Sequence, residues 1–208
     1  GGYGEFMIET DYHIGRILQF LKRSGLEENT MVIFSSDNGP ERSWIQRIKE
    51  FDHDSSHIYR GGKRDIYEGG HRVPFFIRWP GGIKQAGRSW DGIVGQVDLL
   101  ATIADVINVS LPANAGEDSQ SFHSVLTDAN VQYQRAPLIN HSSRGRFAVT
   151  DGNWKLVLPY RKSTVELYNL AADPAEEHNL AAMHHELIVG LQKKDTNIVL
   201  NGRTTPGA

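Results

Sequence analysis

Cysteine is absent from the 208 residues of the chain. A disulfide scaffold, a zinc–thiolate site, an iron–sulfur cluster and a cysteine nucleophile are therefore excluded within it. The apolar runs extend over only a few residues, so no membrane-spanning segment is predicted. The residues at 1–5 have neither the basic nor the apolar region of a signal peptide, and none is predicted in this chain.

A large excess of charge of one sign is also missing. Lys and Arg together number 22 and Asp and Glu 25, which gives a formal net charge of −3. This balance argues against a protein whose main function is electrostatic binding of nucleic-acid phosphates. Hydrophobic residues make up 39% and charged residues 23%, close to the globular average, so a folded core is predicted.

The first half of the chain alternates helical and strand patterns. Helices are predicted over 5–23, 41–51 and 94–107, and buried strands over 31–35 and 73–79. The long crossover between the two strands is typical of a parallel α/β sheet with helices on its faces.

The second half has a different character, beginning with a Pro-, Gly- and Asn-rich stretch at 111–118. After it, a helix signal at Asp173-Pro174-Ala175-Glu176 predicts a helix through Leu180 and Leu191. Four short β-rich runs predict a small antiparallel sheet that packs against that helix. They lie at 137–140, 146–150, 154–158 and 166–168. The predicted organisation is an α/β portion over 1–110, a connection over 111–136, a small domain over 137–200 and a loose tail over 201–208.

Two candidate ligand side chains lie just after the first predicted strand, beyond Ser36. Asp37 and Asn38 offer a carboxylate and an amide oxygen where functional groups of open α/β sheets gather, at the carboxyl end of a strand. Both are hard ligands suited to Ca²⁺ or Mg²⁺. Taken by itself, the Asp-Asn-Gly sequence is more typical of a plain turn, in which the side chains satisfy backbone groups.

Two glycine-rich segments carry further candidates. In Arg60–Arg64 the glycines would let the backbone approach an oxyanion and Lys63 would supply a point charge, although a basic surface loop is the stronger interpretation of this segment alone. Glu68 precedes a Gly-Gly pair at the entrance of the second strand, where it could hold backbone amides or pair with Arg72. The neighbouring His71 is a group that could titrate near neutral pH.

Histidines provide the remaining candidates. His53 and His57 would share a face if they were helical, as a transition-metal pair does, but the surrounding sequence is not helical. His141 and Arg144 occupy a loop after a strand of the small sheet. A role facing substrate and a solvated turn both fit that loop.

Taken together and in order, these segments resemble the C-terminal half of a type I sulfatase (arylsulfatase) of the alkaline phosphatase superfamily. The similarity runs from Tyr3 to about Leu180 and implies the C-terminal part of a doubly wound α/β sheet, followed by a small α+β domain with an antiparallel sheet and a helix. The segments that carry it are Asn29–Gly39, Arg60–Lys63, Tyr67–Pro74, Arg78–Gly81, Asp98–Thr102, Gly152–Lys155, Glu166–Leu170 and Asp173–Glu176.

The resemblance implies roles for several of these residues. Asp37 and Asn38 would be two ligands of a single Ca²⁺, and Lys63 would hold a sulfate oxygen as the S–O bond breaks. The family's nucleophile is a formylglycine made from Cys or Ser in a Cys/Ser-x-Pro-x-Arg motif. The substrate is expected to be a sulfate ester of a carbohydrate, and the residues predicted to line its site are His57, His141 and Arg144.

The chain departs from the family at the nucleophile. Its nearest match, Ser110-Leu111-Pro112-Ala113-Asn114, has Asn where Arg is required, and the upstream aspartates of the calcium site are also missing. We therefore expect a fragment that has no turnover by itself. Half of a doubly wound sheet would also leave apolar surface uncovered, so self-association is expected.

Other functions fit part of the pattern. A phosphate or phosphonate ester hydrolase of the same superfamily commonly has Asp-His in place of Asp37-Asn38 and two transition metals. A non-catalytic module could bind an anionic glycan through Lys63, Arg64 and the loop at 141–146, and a structural partner could complete a separately encoded N-terminal half. The family resemblance implies a periplasmic or secreted protein.

Overall fold

A computed structural model describes residues 2–205 of the chain. Its helices are α1 (Gly2–Arg23), α2 (Ser43–Phe51), α3 (Glu68–His71), α4 (Leu99–Val106), α5 (His123–Thr127) and α6 (His185–Asn201). Its strands are β1 (Val32–Ser35), β2 (Phe75–Arg78), β3 (Leu138–His141), β4 (Phe147–Asp151), β5 (Trp154–Val157) and β6 (Glu166–Asn169). Short 3₁₀ turns lie at Glu27–Asn29 and Gln96–Asp98.

The chain forms two compact units. The first comprises the residues up to Phe34 together with Phe75–Trp90 and Ser124–Val131; the second comprises Ser35–Pro74, Asp91–His123 and the residues from Gln132 onward. This division differs from the domain boundaries predicted at residues 110 and 136, which stay a prediction.

The first unit combines α1 with the paired strands β1 and β2, and the helix and both strands were predicted from their patterns. The end of β2 is tied to the turn before β1, because the side chain of Arg78 pairs with Glu27 and the Gly81 N–H donates to the Glu28 carbonyl (3.1 Å). No residue of α1 is buried among the described residues. A groove of about 500 Å³ lies between α1 and the strands, and apolar side chains such as Leu18 and Phe34 line it.

We expect the 208-residue chain to self-associate, because α1 exposes large apolar side chains at many positions, including Ile8 at 73% and Phe6 at 65%. Light scattering after size-exclusion chromatography should give a mass above that of the monomer, rising with protein concentration. Ile8→Lys should lower this mass, whereas Gln19→Lys, at an exposed polar position of the same helix, should not. A monodisperse monomer at all concentrations would contradict the prediction.

The second unit contains the small antiparallel sheet, ordered β3–β4–β5–β6, and its strands confirm the predicted pattern. Alternate residues of a strand point to opposite faces, and both faces of this sheet are covered. On one face Ala148, Val157 and Tyr168 pack with Ile66. On the other, the apolar side chains pack against α6, with Leu156 and Leu167 contacting Ile188 and Leu191. The sheet is therefore held between α6 and the segment that leads into α3.

The predicted helix start at Asp173 is wrong. Asp173 does cap a turn, accepting hydrogen bonds from the backbone N–H groups of Glu177 and His178 (3.1 and 2.8 Å), but α6 begins only at His185. Glu176 has a left-handed backbone (φ 55°) that a helix cannot contain. Its carboxylate is fully buried 2.9 Å from the ammonium of Lys155, so a long-range ion pair overrides the local helix signal.

Two other predictions differ from the structure in detail. The helix predicted over 94–107 is a 3₁₀ turn followed by the shorter α4, and Asn108 then adopts a left-handed backbone (φ 55°). The tail is tethered rather than loose at Arg203 and Thr204. The Arg203 guanidinium donates to the Ala113 carbonyl (2.7 Å), and the Thr204 backbone N–H donates to the Asp118 carboxylate (2.9 Å). The residues at 206–208 lie outside the described part. Within residues 2–205 we find no helix long and apolar enough to cross a bilayer.

Candidate active site

A glycine-rich loop, Arg60–Arg64, lies at the centre of the candidate site. Gly61 has a left-handed backbone (φ 77°), and a Cβ on Gly62 would lie 2.6 Å from the Trp44 indole nitrogen. Glycine at both positions lets the loop pack closely on the segment that follows β1. The Lys63 N–H donates to the Pro40 carbonyl (2.9 Å), which fixes Lys63 beside that segment.

The segment after β1 carries the predicted metal ligands. Its sharp turn depends on Gly39, whose N–H donates to the Gly70 carbonyl (3.0 Å) and whose Cβ would lie 1.7 Å from the Gly69 carbonyl oxygen. Asp37 is exposed and Asn38 half-buried, with the Asn38 amide nitrogen donating to the Gly39 carbonyl (2.9 Å). The backbone is thus pressed against α3 while the Asp37 carboxylate stays at the surface.

These two side chains fit a calcium ion as a partial ligand set. A carboxylate and an amide oxygen are both hard donors, and Ca²⁺ takes about six to eight oxygen ligands. Among residues 2–205 no group of three or more His, Asp or Glu side chains is arranged to hold a metal. Asp37 and Asn38 therefore supply only part of the coordination that a bound calcium needs.

The side chain of Lys63 lies in a positively charged group of residues. Its ammonium is 3.7 Å from a carboxylate oxygen of Glu41, whose other oxygen is 2.5 Å from the Arg64 guanidinium. The hydrogen bond from Arg64 lowers the pKa of Glu41 to about 2, so the carboxylate stays ionised and holds both cations. Two cations and one carboxylate leave a net positive charge, which suits an oxyanion.

His57 lies on a segment that contacts the same loop. The preceding residue, Ser56, is buried and its hydroxyl donates to the Gly61 carbonyl (2.8 Å), whereas His57 itself is exposed with a left-handed backbone (φ 55°). The helical metal pair with His53 is not formed, because α2 ends at Phe51. A role of His57 in binding substrate stays a prediction.

The loop between β3 and β4 also meets Arg60–Arg64. The Ser143 N–H donates to the Arg64 carbonyl (3.1 Å), and the neighbouring Arg144 is exposed. His141 is exposed at the end of β3, with its ring 5.6 Å from that of Phe147. The segments carrying all the predicted site residues are thus hydrogen-bonded to one short loop.

Two residues close to the site, Lys155 and Gln96, were not predicted to have a role in it. Lys155 is 1% exposed and lies 2.9 Å from carboxylate oxygens of both Glu68 and Glu176. Gln96 donates from its side-chain amide to the Ser35 hydroxyl (2.9 Å) and to the carbonyl of Ser36 (2.5 Å), the residue before Asp37. A signal for Lys155 was present, because strand alternation places it on the same buried face as Val157; nothing in the sequence points to Gln96.

His71 is half-buried on α3, and its Nδ1 lies 3.4 Å from the Asn140 side-chain amide. Burial lowers the pKa of His71, and the nearby charge of Lys155 lowers it further. The folded state therefore binds this proton less readily than the unfolded chain, whose histidine pKa is about 6.5. The stabilisation from a neutral His71 is fully present above about pH 6.5 and is lost progressively as the pH falls from there through the lower pKa of the folded state.

Replacing His71 should therefore change the pH dependence of stability. Denaturant unfolding should show wild-type stability falling between pH 7 and pH 5.5 with a slope of up to about 1.4 kcal/mol per pH unit from this group. His71→Asn should fall less steeply, and His185→Asn, at an exposed position, should follow the wild type. Equal slopes for all three proteins would show that burial of His71 does not disfavour its charged form.

Comparison with known proteins extends over nearly the whole chain. A family model described as sulfatase matches residues 1–109, and one described as N-sulphoglucosamine sulphohydrolase, C-terminal, matches residues 59–198. The chain is 31% identical over 206 residues to an N-acetylgalactosamine-6-O-sulfatase of Bacteroides thetaiotaomicron, covering 90% of this chain and 40% of that protein. The chain thus spans about 40% of the length of this curated relative.

Solved structures share the fold. One from work on glycosaminoglycan metabolism by Bacteroides thetaiotaomicron superimposes with a TM-score of 0.83 at 29% identity, covering 94% of this chain and 44% of that one. A phosphonate monoester hydrolase of Agrobacterium radiobacter has a TM-score of 0.68 at 23% identity, covering 93% and 40%, and so shows the shared alkaline-phosphatase-like fold alone. The family models and the relatives together show that this chain belongs to the sulfatase family, whose members are sulfuric ester hydrolases.

Proposed function

We propose that the chain forms the calcium- and sulfate-binding part of a sulfatase that hydrolyses sulfate esters of a carbohydrate. One observation carries the proposal. In a chain of the sulfatase family, the loop bearing Lys63 is hydrogen-bonded through Pro40 to the segment bearing Asp37 and Asn38. An ammonium group and two hard oxygen ligands therefore come from adjacent backbone segments, as binding of one sulfate group beside a cation requires.

The residues have separate tasks in this proposal. Asp37 and Asn38 would hold calcium, which when bound supplies Lewis-acid neutralisation of sulfate oxygens. The Lys63 ammonium binds and orients a sulfate oxygen and stabilises the negative charge that builds up there. Glu41 holds Lys63 and Arg64 near each other through its low-pKa carboxylate, so the cations remain together at neutral pH.

The remaining parts of the active site belong to sequence outside these 208 residues. The chain contains neither a cysteine nor a Ser-x-Pro-x-Arg motif from which formylglycine could be made. It also covers only about 40% of its curated relative. We propose that it is the C-terminal part of a longer enzyme that acts in the periplasm or outside the cell, and that the 208 residues alone have no turnover.

A carbohydrate substrate is favoured by the surroundings of the loop. His57, His141 and Arg144 are exposed on segments that contact Arg60–Arg64. Cations and imidazoles on these segments could bind hydroxyl groups or further sulfates of a sugar. The N-acetylgalactosamine-6-O-sulfatase to which the chain is similar acts, by its name, on a sulfated sugar.

Two other functions remain open to test. A phosphonate monoester hydrolase shares the fold, but Asn38 is a hard neutral ligand and favours a single calcium over a pair of transition metals. A non-catalytic glycan-binding module would use the exposed charges of Arg64 and Arg144. Its binding would weaken with salt and would not need calcium.

The proposal is tested with the protein expressed from the complete reading frame. We expect hydrolysis of a 6-sulfated N-acetylhexosamine to exceed hydrolysis of an aryl sulfate and of an aryl phosphate, and to stop when a chelator removes calcium. The 208-residue chain should show no turnover in the same assay. Faster phosphate or phosphonate hydrolysis, or glycan binding without turnover by the complete protein, would contradict the proposal.

A further inference from the structure

A buried ionic cluster connects the small sheet to the turn beneath the candidate site. The ammonium of Lys155, on β5, lies 2.9 Å from Glu68 at the start of α3 and 2.9 Å from Glu176. The side chains of Lys155 and Glu176 are 1% and 0% exposed, and that of Glu68 is 13% exposed. Burying three charges is unfavourable unless their geometry is held, so the cluster fixes the relative position of these segments.

Glu68 is held by its backbone as well as its side chain. The second carboxylate oxygen of Glu176 accepts a hydrogen bond from the Glu68 N–H (2.5 Å). The left-handed backbone of Glu176 (φ 55°) directs its side chain into this position instead of continuing a helix. The first residue of α3 is thus bonded at two points by groups from the small-sheet region.

The turn that begins at Glu68 supports the segment that carries Asp37 and Asn38. The Gly70 carbonyl accepts the N–H of Gly39, the residue after Asn38, and the Gly69 N–H donates to the Arg60 carbonyl (2.8 Å). A Cβ on Gly39 would overlap the Gly69 carbonyl, so the two backbones are in direct contact without intervening side chains. A displacement of α3 would therefore move both the predicted metal ligands and the loop of Lys63.

The same sheet holds the other end of that loop. The guanidinium of Arg60 lies 3.7 Å from the ring centre of Tyr67 and donates to the Tyr168 hydroxyl (3.1 Å) and the Glu176 carbonyl (3.0 Å). Lys155 and Tyr168 occupy paired positions on β5 and β6. Neighbouring strands of the sheet thus contact α3 and the loop separately.

We propose that Lys155 is a positioning residue, which acts through Glu68 and Glu176 to hold α3 in the position that aligns the Asp37–Gly39 segment with the Lys63 loop. The proposal rests on the proposed function, because that function gives Asp37, Asn38 and Lys63 their roles. Lys155 itself is buried and touches neither substrate nor metal in this arrangement.

Hydrogen exchange measured by mass spectrometry on the 208-residue chain tests the structural part of the proposal. In Lys155→Met, peptides covering 36–42 and 60–71 should exchange at least about tenfold faster than in the wild type, while those covering α6 keep the wild-type rate. Glu176→Gln should have the same pattern with a smaller effect. Lys194→Met removes the exposed lysine of α6 that pairs with Asp151 at the end of β4, and should leave 36–42 unchanged.

A uniform increase across all peptides, or no increase at 36–42, would overturn the proposal. If Lys155→Met does not fold, Glu176→Gln and Lys155→Arg are judged by the same criterion.

In the protein from the complete reading frame, Lys155→Met should also weaken calcium binding about tenfold, which a lysine that only adds stability would not do. Failure of the proposed function would appear separately, as absence of sulfate ester hydrolysis in the wild type with the exchange pattern intact.

Discussion

Lys63→Met, in the protein expressed from the complete reading frame, is expected to lower the rate of sulfate ester hydrolysis by about 10²–10³-fold. The Lys63 ammonium is the charge that meets the sulfate in our proposal, and its backbone is fixed to the segment of Asp37 and Asn38 through the Pro40 carbonyl. Methionine keeps most of the length of the side chain and removes the charge. Since Lys63 is only partly buried, we expect the variant to fold with nearly wild-type stability.

Steady-state kinetics on a single sulfate ester measures this effect. The loss should be larger in kcat/KM than in kcat if Lys63 binds the ground-state sulfate as well as the transition state. Lys162→Met, at an exposed turn between β5 and β6, is the matched control and should leave both constants unchanged. A Lys63→Met enzyme with the activity of the control would show that Lys63 does not contact the reacting group.

Arg135→Met is expected to destabilise the chain by about 3–5 kcal/mol, because it breaks a fully buried ion pair and leaves Asp98 uncompensated. The Arg135 guanidinium binds both Asp98 oxygens, at 2.7 and 2.8 Å, with side chains 1% and 0% exposed. The same carboxylate accepts the backbone N–H groups of Gly95 and Gln120 (2.7 and 2.9 Å). It therefore joins three separate parts of the second unit.

Denaturant unfolding of the 208-residue chain measures the loss of stability. Arg23→Met, at an exposed position in the last turn of α1, is the control and should change stability by less than about 0.5 kcal/mol. Asp98→Asn should also be destabilising, since it removes the charge but keeps the shape. A loss in Arg135→Met no larger than that of the control would mean that the pair is compensated elsewhere.

Elements with clear local patterns were predictable from the sequence. The helical spacing of apolar residues before residue 23 predicted α1. The short β-rich runs separated by turns predicted β3 to β6 and their antiparallel pairing. The position of Asp37 and Asn38 just beyond the end of β1 was predictable from the Gly39-Pro40 pair, which stops the strand. These features depend on residues close together in the chain, whose effects on the backbone are local.

Features that depend on distant residues could not be predicted. Asp173 to Glu176 has the sequence of a helix start, yet the attraction between Glu176 and Lys155 sets its backbone. Likewise, the contacts of Pro40 and Ser143 with the loop of Lys63 join residues far apart in sequence. The sequence indicated the chemistry of the site residues, whereas their arrangement around one loop is a property of the folded chain.

Calcium binding to the protein from the complete reading frame tests the central claim most directly. Isothermal titration should show one Ca²⁺ bound per chain. Asp37→Ala should weaken binding at least about 100-fold, whereas Asp91→Ala, at an exposed position, should bind like the wild type. Equal affinity of Asp37→Ala and the wild type would contradict the assignment of the segment after β1 as part of the metal site.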